Sequence, residues 1–200
     1  MTALALIRHG ATAWNEAGRI QGHADIPLSE RGRQSLAGRG LPHELESAAW
    51  VSSPLRRAAE TARLLGAGAV RIEPRLIEMD WGAWEGRTLA QLRAELGPAM
   101  RANEDRGLDF TPPGGESPRM VQARIASWLR EVADTSAPTV AVTHKGVIRA
   151  VFALAVDWDM IGKLPARLEW MRAHVFALDN DGVPRVGCLN LPLTARGVSA

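Results

Sequence analysis

The chain has 200 residues, with 24 Lys and Arg against 22 Asp and Glu for a formal net charge of +2, and 46% of it is hydrophobic. That length suits one α/β domain with a sizeable core rather than two domains, and the near-balanced charge gives no basic stripe for nucleic acid. No apolar run approaches the roughly 20 residues of a membrane span, and Cys188, the single cysteine, excludes intrachain disulfides and a cysteine-rich zinc site, so a reducing cytoplasm is the expected compartment.

Leu4-Ala5-Leu6-Ile7 reads as a buried first strand that delivers Arg8-His9-Gly10 to the loop at its carboxyl end, where ligands collect in open α/β sheets. The loop continues with Thr12, Trp14 and Asn15; Trp14 either packs the loop down or lines a substrate pocket. Ser29 is an N-cap for a helix running through Leu36 to about Gly40. A second strand, Ala49 to Ser52, ends at Ser53-Pro54, and Leu55 to Leu65 follows as a helix burying Ala58, Ala59, Ala62, Leu64 and Leu65. Val70-Arg71-Ile72 is a short third strand.

From Leu76 to Gly86 the pattern is irregular, and a short helix then spans Thr88 to Leu96. Residues 97–117, rich in proline and glycine, predict a lid-like loop over a pocket mouth. Ser117-Pro118 opens the clearest helix, in which Met120, Val121, Ile125, Trp128, Leu129 and Val132 recur at helical spacing up to Ala133. Thr139-Val140-Ala141-Val142 is a strand that delivers Thr143-His144-Lys145-Gly146 as the first delivers His9, and a buried helix spans Gly146 to Val156. Two late strands, Trp170 to Leu178 and Pro184 to Leu189, flank the hairpin turn Asn180-Asp181-Gly182. The first of these is either a sheet edge open to a second subunit, giving a homodimer, or simply the partner of the second. The seven tryptophans are expected to fill the core. Strands alternating with helices predict an α/β fold: a single-domain three-layer α/β/α sandwich over residues 1–200 with a mainly parallel sheet.

Two strands ending in histidine bring two imidazoles to one pocket if they lie side by side. An unprotonated imidazole attacks phosphorus only beside enough positive charge to receive a phosphate dianion. This arrangement resembles the histidine phosphatase superfamily, the phosphoglycerate mutase-like proteins, with their Arg-His-Gly after the first strand and second His after a later one. The segment Ser52 to Ala62 is similar to that family's Ser-x-Leu-x-Arg-Ala-x-x-Thr-Ala and selects Arg57, leaving Arg56 to the surface. Leu76 to Gly86 looks like Leu-x-Glu-x-x-x-Gly-x-Trp-Glu-Gly and selects Glu78, with Glu85 a loop tether.

The resemblance implies that His9 is the nucleophile, that Arg8 and Arg57 clamp the phosphoryl oxygens, and that Glu78 is the acid and base. It further implies that His144 bonds a phosphoryl oxygen and, if protonated, adds charge, and that Asn15, Gln21, Gly22 and Thr12 contact phosphate or substrate. Lys145 departs from the family's small residue; it either adds a phosphate contact or points outward, the latter favoured here. Glu116, in Pro113-Gly114-Gly115-Glu116-Ser117, is structural or at the pocket edge. His23, His43 and His174 show no metal-ligand spacing, so catalysis without metal or other cofactor is expected.

These pieces look most like the phosphatase branch, including α-ribazole phosphatases and broad-specificity phosphatases. The expected function is hydrolysis of a small phosphomonoester, with no nucleic acid or membrane as partner. The alternatives are a 2,3-bisphosphoglycerate-dependent phosphoglycerate mutase and a non-catalytic phosphate-binding protein.

Overall fold

The computed structural model describes residues 1–135 and 137–195, so the last five residues of the expected domain lie outside the described residues. In chain order the strands are β1 (Thr2–Arg8), β2 (Arg39–Gly40), β3 (Ala49–Ser52), β4 (Arg71–Ile72), β5 (Thr139–Thr143), β6 (Ala173–Leu178), β7 (Pro184–Leu191) and β8 (Thr194–Ala195). The helices are α1 (Ala13–Glu16), α2 (Glu30–Leu36), α3 (Arg56–Leu64), α4 (Leu89–Leu96), α5 (Pro98–Glu104), α6 (Pro118–Thr135) and α7 (Lys145–Ala155).

Six strands form one sheet in the order β4-β3-β5-β1-β6-β7. The pairs from β4 to β1 are parallel, and β6 and β7 add an antiparallel margin. Alternation along β1 builds a core on each face. Leu4 and Leu6 pack with Ile125, Trp128, Val147 and Val151 of α6 and α7, whereas Ala5 and Ile7 pack with Leu36, Ala58 and Ala62 of α2 and α3. The three-layer α/β sandwich expected from the sequence is thus present.

Register positions the site. β1 and β5 run parallel with Arg8 opposite Thr143, so His9 and His144 leave the sheet at the same level, and the His9 amide donates to the Thr143 carbonyl at 3.0 Å.

Several sequence expectations need correction. The second helix stops at Leu36 instead of running to about Gly40, because Gly38 adopts a φ of +70° and turns the chain into β2, which pairs with β8. Residues 97–117 are not wholly a loop. Pro98 sits at the start of α5, where its missing N–H costs nothing, and Met100 joins Ile20, Trp84 and Leu92 in a small third core. β6 begins at Ala173 and lies between β1 and β7, so the open sheet edge is β7 and not the segment from Trp170. Of the tryptophans, Trp84, Trp128 and Trp158 are buried and the other four are half-buried.

Candidate active site

Gly10 ties the His9 loop to α3: its amide donates to Thr61 Oγ1 at 2.9 Å, and that hydroxyl donates to the Arg57 carbonyl at 2.7 Å. The Gly10 carbonyl meets His9 Nδ1 at 2.7 Å. A carbonyl only accepts, so Nδ1 carries the proton of the neutral ring and Nε2 keeps a free lone pair. Burial, and then the Arg8 and Arg57 charges, hold the His9 pKa well below the usual histidine value, so the ring stays neutral.

His144 lies across from it, with ring centroids 5.1 Å apart and planes tilted by 56°. Its Nε2 is 2.7 Å from Ser53 Oγ, and its buried Nδ1 has no partner among the described residues. Burial, His9 and three arginines also press the His144 pKa well down. That shift favours the neutral ring, in which His144 offers a directed N–H.

Arg57 is fully buried at the first turn of α3. Its Nη2 and Nη1 donate to the Gly22 and Ala24 carbonyls, both at 2.8 Å, and burial lowers its pKa to about 10. Oriented to satisfy both neighbours, the Gln21 amide donates to Thr12 Oγ1 at 2.7 Å and accepts from Arg57 Nη1 and Nε at 3.1 and 3.2 Å. Gln21 and Gly22 thus aim the guanidinium. Thr12 also caps α1, where its hydroxyl accepts from the Asn15 amide at 3.1 Å while Asn15 Oδ1 accepts from the Thr12 amide at 3.2 Å. Arg8 has a buried Nε without a partner, and its guanidinium lies 5.8 Å from the centroid of the Trp170 ring.

Glu78 is buried, with Oε1 accepting from the Met79 amide at 2.8 Å and Oε2 from the Gly146 amide at 3.2 Å. Burial raises its pKa despite those amides and the two arginines, favouring the protonated acid. Gly146 is required for this approach, since a β-carbon there would fall 2.4 Å from Glu78 Oε1.

Lys145 is exposed, but it does not simply point away from the site: its Nζ stands 5.4 Å from the Trp170 centroid, over the ring that also carries Arg8. Trp14 lies across Gly86, where a β-carbon would meet its ring at 3.2 Å, so it packs on that loop. Glu85 accepts from the amides of His23 and Ala24 at 2.6 and 2.8 Å, tethering the loop that carries Gly22.

Sequence reasoning passed over four supporting residues. Ser53 and Thr61 were legible only as parts of the Arg57 motif. Trp170 carried no signal beyond its type. Arg124 pairs with Glu116 at 2.9 Å and donates to the carbonyls of Arg75, Ile77 and Glu78, fixing the backbone that presents Glu78. Glu116 also accepts from the Asp80 amide at 3.1 Å, which makes it structural.

Beside Gly146 opens a cavity of about 390 Å³ lined by residues that include Met79, Trp81, Phe110, Met160 and Arg149. Five groups expected to act together, Arg8, His9, Arg57, Glu78 and His144, therefore converge at the carboxyl ends of the parallel strands, next to a cavity.

A family model described as the histidine phosphatase superfamily (branch 1) matches residues 4–185. The chain belongs to that superfamily. Among its relatives, glucosyl-3-phosphoglycerate phosphatase of Mycobacterium tuberculosis is 34% identical over 178 residues, covering 80% of this chain and 79% of the relative. The structure of the mycobacterial enzyme of that name in complex with VO3 superposes with a TM-score of 0.79 at 29% identity, covering 96% of this chain and 100% of the other. Bacillus stearothermophilus YhfR gives a TM-score of 0.81 at 29% identity over 98% of this chain and 100% of its own. Homology to named phosphatases makes this chain a phosphatase of the histidine phosphatase superfamily. No described helix is long and apolar enough to cross a membrane.

Proposed function

We propose that this phosphatase hydrolyses small phosphomonoesters through a phosphoryl group carried on His9 Nε2, without a metal ion. The observation that carries the reading is the Nδ1–Gly10 bond at 2.7 Å, which leaves Nε2 as the reactive lone pair of a ring held neutral between two arginines.

In the first half-reaction Nε2 attacks phosphorus, the ester P–O bond breaks, and the leaving alkoxide takes the proton of the Glu78 carboxylic acid. In the second, water gives a proton to the Glu78 carboxylate as its oxygen attacks phosphorus; the P–N bond breaks and phosphate leaves. One carboxyl group thus serves both steps, and its raised pKa suits it to begin as an acid. Arg8 and Arg57 receive the non-bridging oxygens. With the Ser53 hydroxyl donating to His144 Nε2, Nδ1–H is the donor that follows the phosphoryl group between the two positions.

Asn15 at the loop completes the phosphate surroundings, and Lys145 stands at the rim over Trp170. The segment 97–117 acts as the cover of the cavity, to which it contributes Glu104, Asp105, Gly107 and Phe110. The reading places the enzyme in the cytoplasm, acting on a small phosphorylated molecule, with β7 as the edge through which a homodimer would form.

Metal independence is supported by the positive charge that Arg8 and Arg57 supply beside His9. Hydrolysis of p-nitrophenyl phosphate should persist undiminished after dialysis against a chelator. Activity that vanishes in chelator and returns with a divalent ion would refute the metal-free step.

A further inference from the structure

α7 begins at the site with Lys145, over the Trp170 ring, and carries a second cation, Arg149, on the cavity wall. Lys145 and Arg149 are four residues apart on this helix, so their side chains lie on one face with β-carbons about 5–6 Å apart. Like charges at that spacing destabilise a helix, so the pair is not explained by the stability of α7. Neither side chain forms an ion pair with a described carboxylate, and the Arg149 guanidinium forms no hydrogen bond with any described residue. Its Nε is buried with no partner.

Tryptophans hold both cations instead. Lys145 Nζ stands over Trp170, and the Arg149 guanidinium lies 5.5 Å from the centroid of Trp158. Trp158 is itself fixed, its Nε1 donating to the Ile161 carbonyl at 3.0 Å. Stacking on a ring face steadies a guanidinium while leaving its in-plane N–H groups free for a ligand.

Gly146 links this pair to the chemistry. It bonds Glu78 and lines the same cavity as Arg149, one helical turn away. A leaving oxygen protonated by Glu78 therefore lies a short chain's length from the Arg149 fork. Met79, Trp81, Phe110 and Met160 offer apolar contact for the chain between, and on the opposite wall the Arg93 charge is already met by Glu104 at 2.7 Å, which leaves Arg149 as the unpaired arginine of the cavity lining among the described residues.

We propose that Arg149, assisted by Lys145, is a specificity-determining anion site, and that favoured substrates are phosphomonoesters whose alcohol bears a carboxylate a short chain from the ester oxygen. One guanidinium and one ammonium suit a monoanion, whereas the dianionic phosphoryl group is met by Arg8, Arg57 and two histidines. This rests on the phosphatase reading above, in which the leaving group departs beside Glu78.

The test is kcat/KM for two matched pairs that differ in the carboxylate, phosphoserine against phosphoethanolamine and 3-phosphoglycerate against glycerol 3-phosphate. The wild-type protein should prefer the carboxylate member by about tenfold or more, as expected for a charged hydrogen-bonded contact. In Arg149→Met, which keeps the stem on Trp158, that preference of about tenfold or more should fall to within about twofold through KM, and Arg149→Lys should retain part of it. Equal rates on both members, or a loss in Arg149→Met shared by all esters at an unchanged thermal midpoint, would overturn the proposal and leave the phosphatase reading standing. Failure to hydrolyse any ester would overturn that reading as well.

Discussion

Arg75 and Arg57 belong to two regions that treat the same side chain in opposite ways. On the outer face, Arg75 gives Nε and Nη2 to Glu73 at 2.7 and 2.9 Å and Nη1 and Nη2 to Glu131, both at 2.7 Å, and those hydrogen bonds raise its pKa. Beneath the His9 loop, Arg57 is buried against backbone carbonyls with no carboxylate in ion-pair range, and its pKa is lowered. A paired surface arginine has its counterion already. A buried one without a carboxylate is costly in isolation and keeps its charge for a ligand. Arg8 and Arg149 share the second condition, whereas Arg33, Arg87, Arg93 and Arg119 share the first.

The sharpest way to break this contrast is to truncate one arginine from each region. Arg57→Ala should lower kcat/KM by at least about 10³-fold with the circular dichroism spectrum retained, because an electrostatic clamp on a dianion is lost. Arg75→Ala should leave kcat/KM within about twofold while costing about 1–3 kcal/mol in urea unfolding, because buried Glu73 loses its bidentate partner. Comparable losses in the two variants would erase the distinction.

A second prediction concerns the one carboxyl group kept among the site's cations. Glu78→Gln should cost about 10²–10⁴-fold on alkyl phosphates and less than about tenfold on p-nitrophenyl phosphate, whose leaving group needs little protonation. Since burial raises the Glu78 pKa, alkyl phosphate turnover should fall as pH rises through that value, a limb the variant lacks. On the acid side the lowered His9 pKa keeps its lone pair available well below the ordinary value of about 6.5, so no loss should appear near there. A loss centred near that ordinary value would mean that His9 is not screened from protons as its burial implies.

A smaller loss than that of Glu78→Gln comes from crowding the carboxyl group. Gly146→Ala sets a methyl group against Glu78 Oε1 and should cost about tenfold or more on alkyl phosphates, through displacement of the acid. Unchanged rates would show that Glu78 is not held where the geometry puts it.

The strands and helices that carry the site were legible because each has a strong local signature. β1 and β5 are short apolar runs, and α6 repeats its buried residues at helical spacing. His9 and His144 were legible as strand-end residues, and the parallel register of β1 with β5 makes them neighbours. Elements fixed by distant partners were not legible. β2 exists through its pairing with β8, and α5 through a third core to which Ile20 and Trp84 also contribute. Within the site, the Thr12 hydroxyl also caps α1 by accepting from the Asn15 amide, a bond that leaves its own O–H as a donor. Arg149 is one arginine among many in the sequence, and only the cavity and Trp158 single it out.

The central claim is that His9 carries the phosphoryl group, and rapid-quench trapping during turnover tests it most directly. Protein mixed with p-nitrophenyl phosphate, quenched in base and digested should yield an acid-labile, base-stable phosphoryl adduct on the peptide containing His9, with none formed by His9→Ala. An adduct on another residue, or full turnover by His9→Ala, would contradict the account.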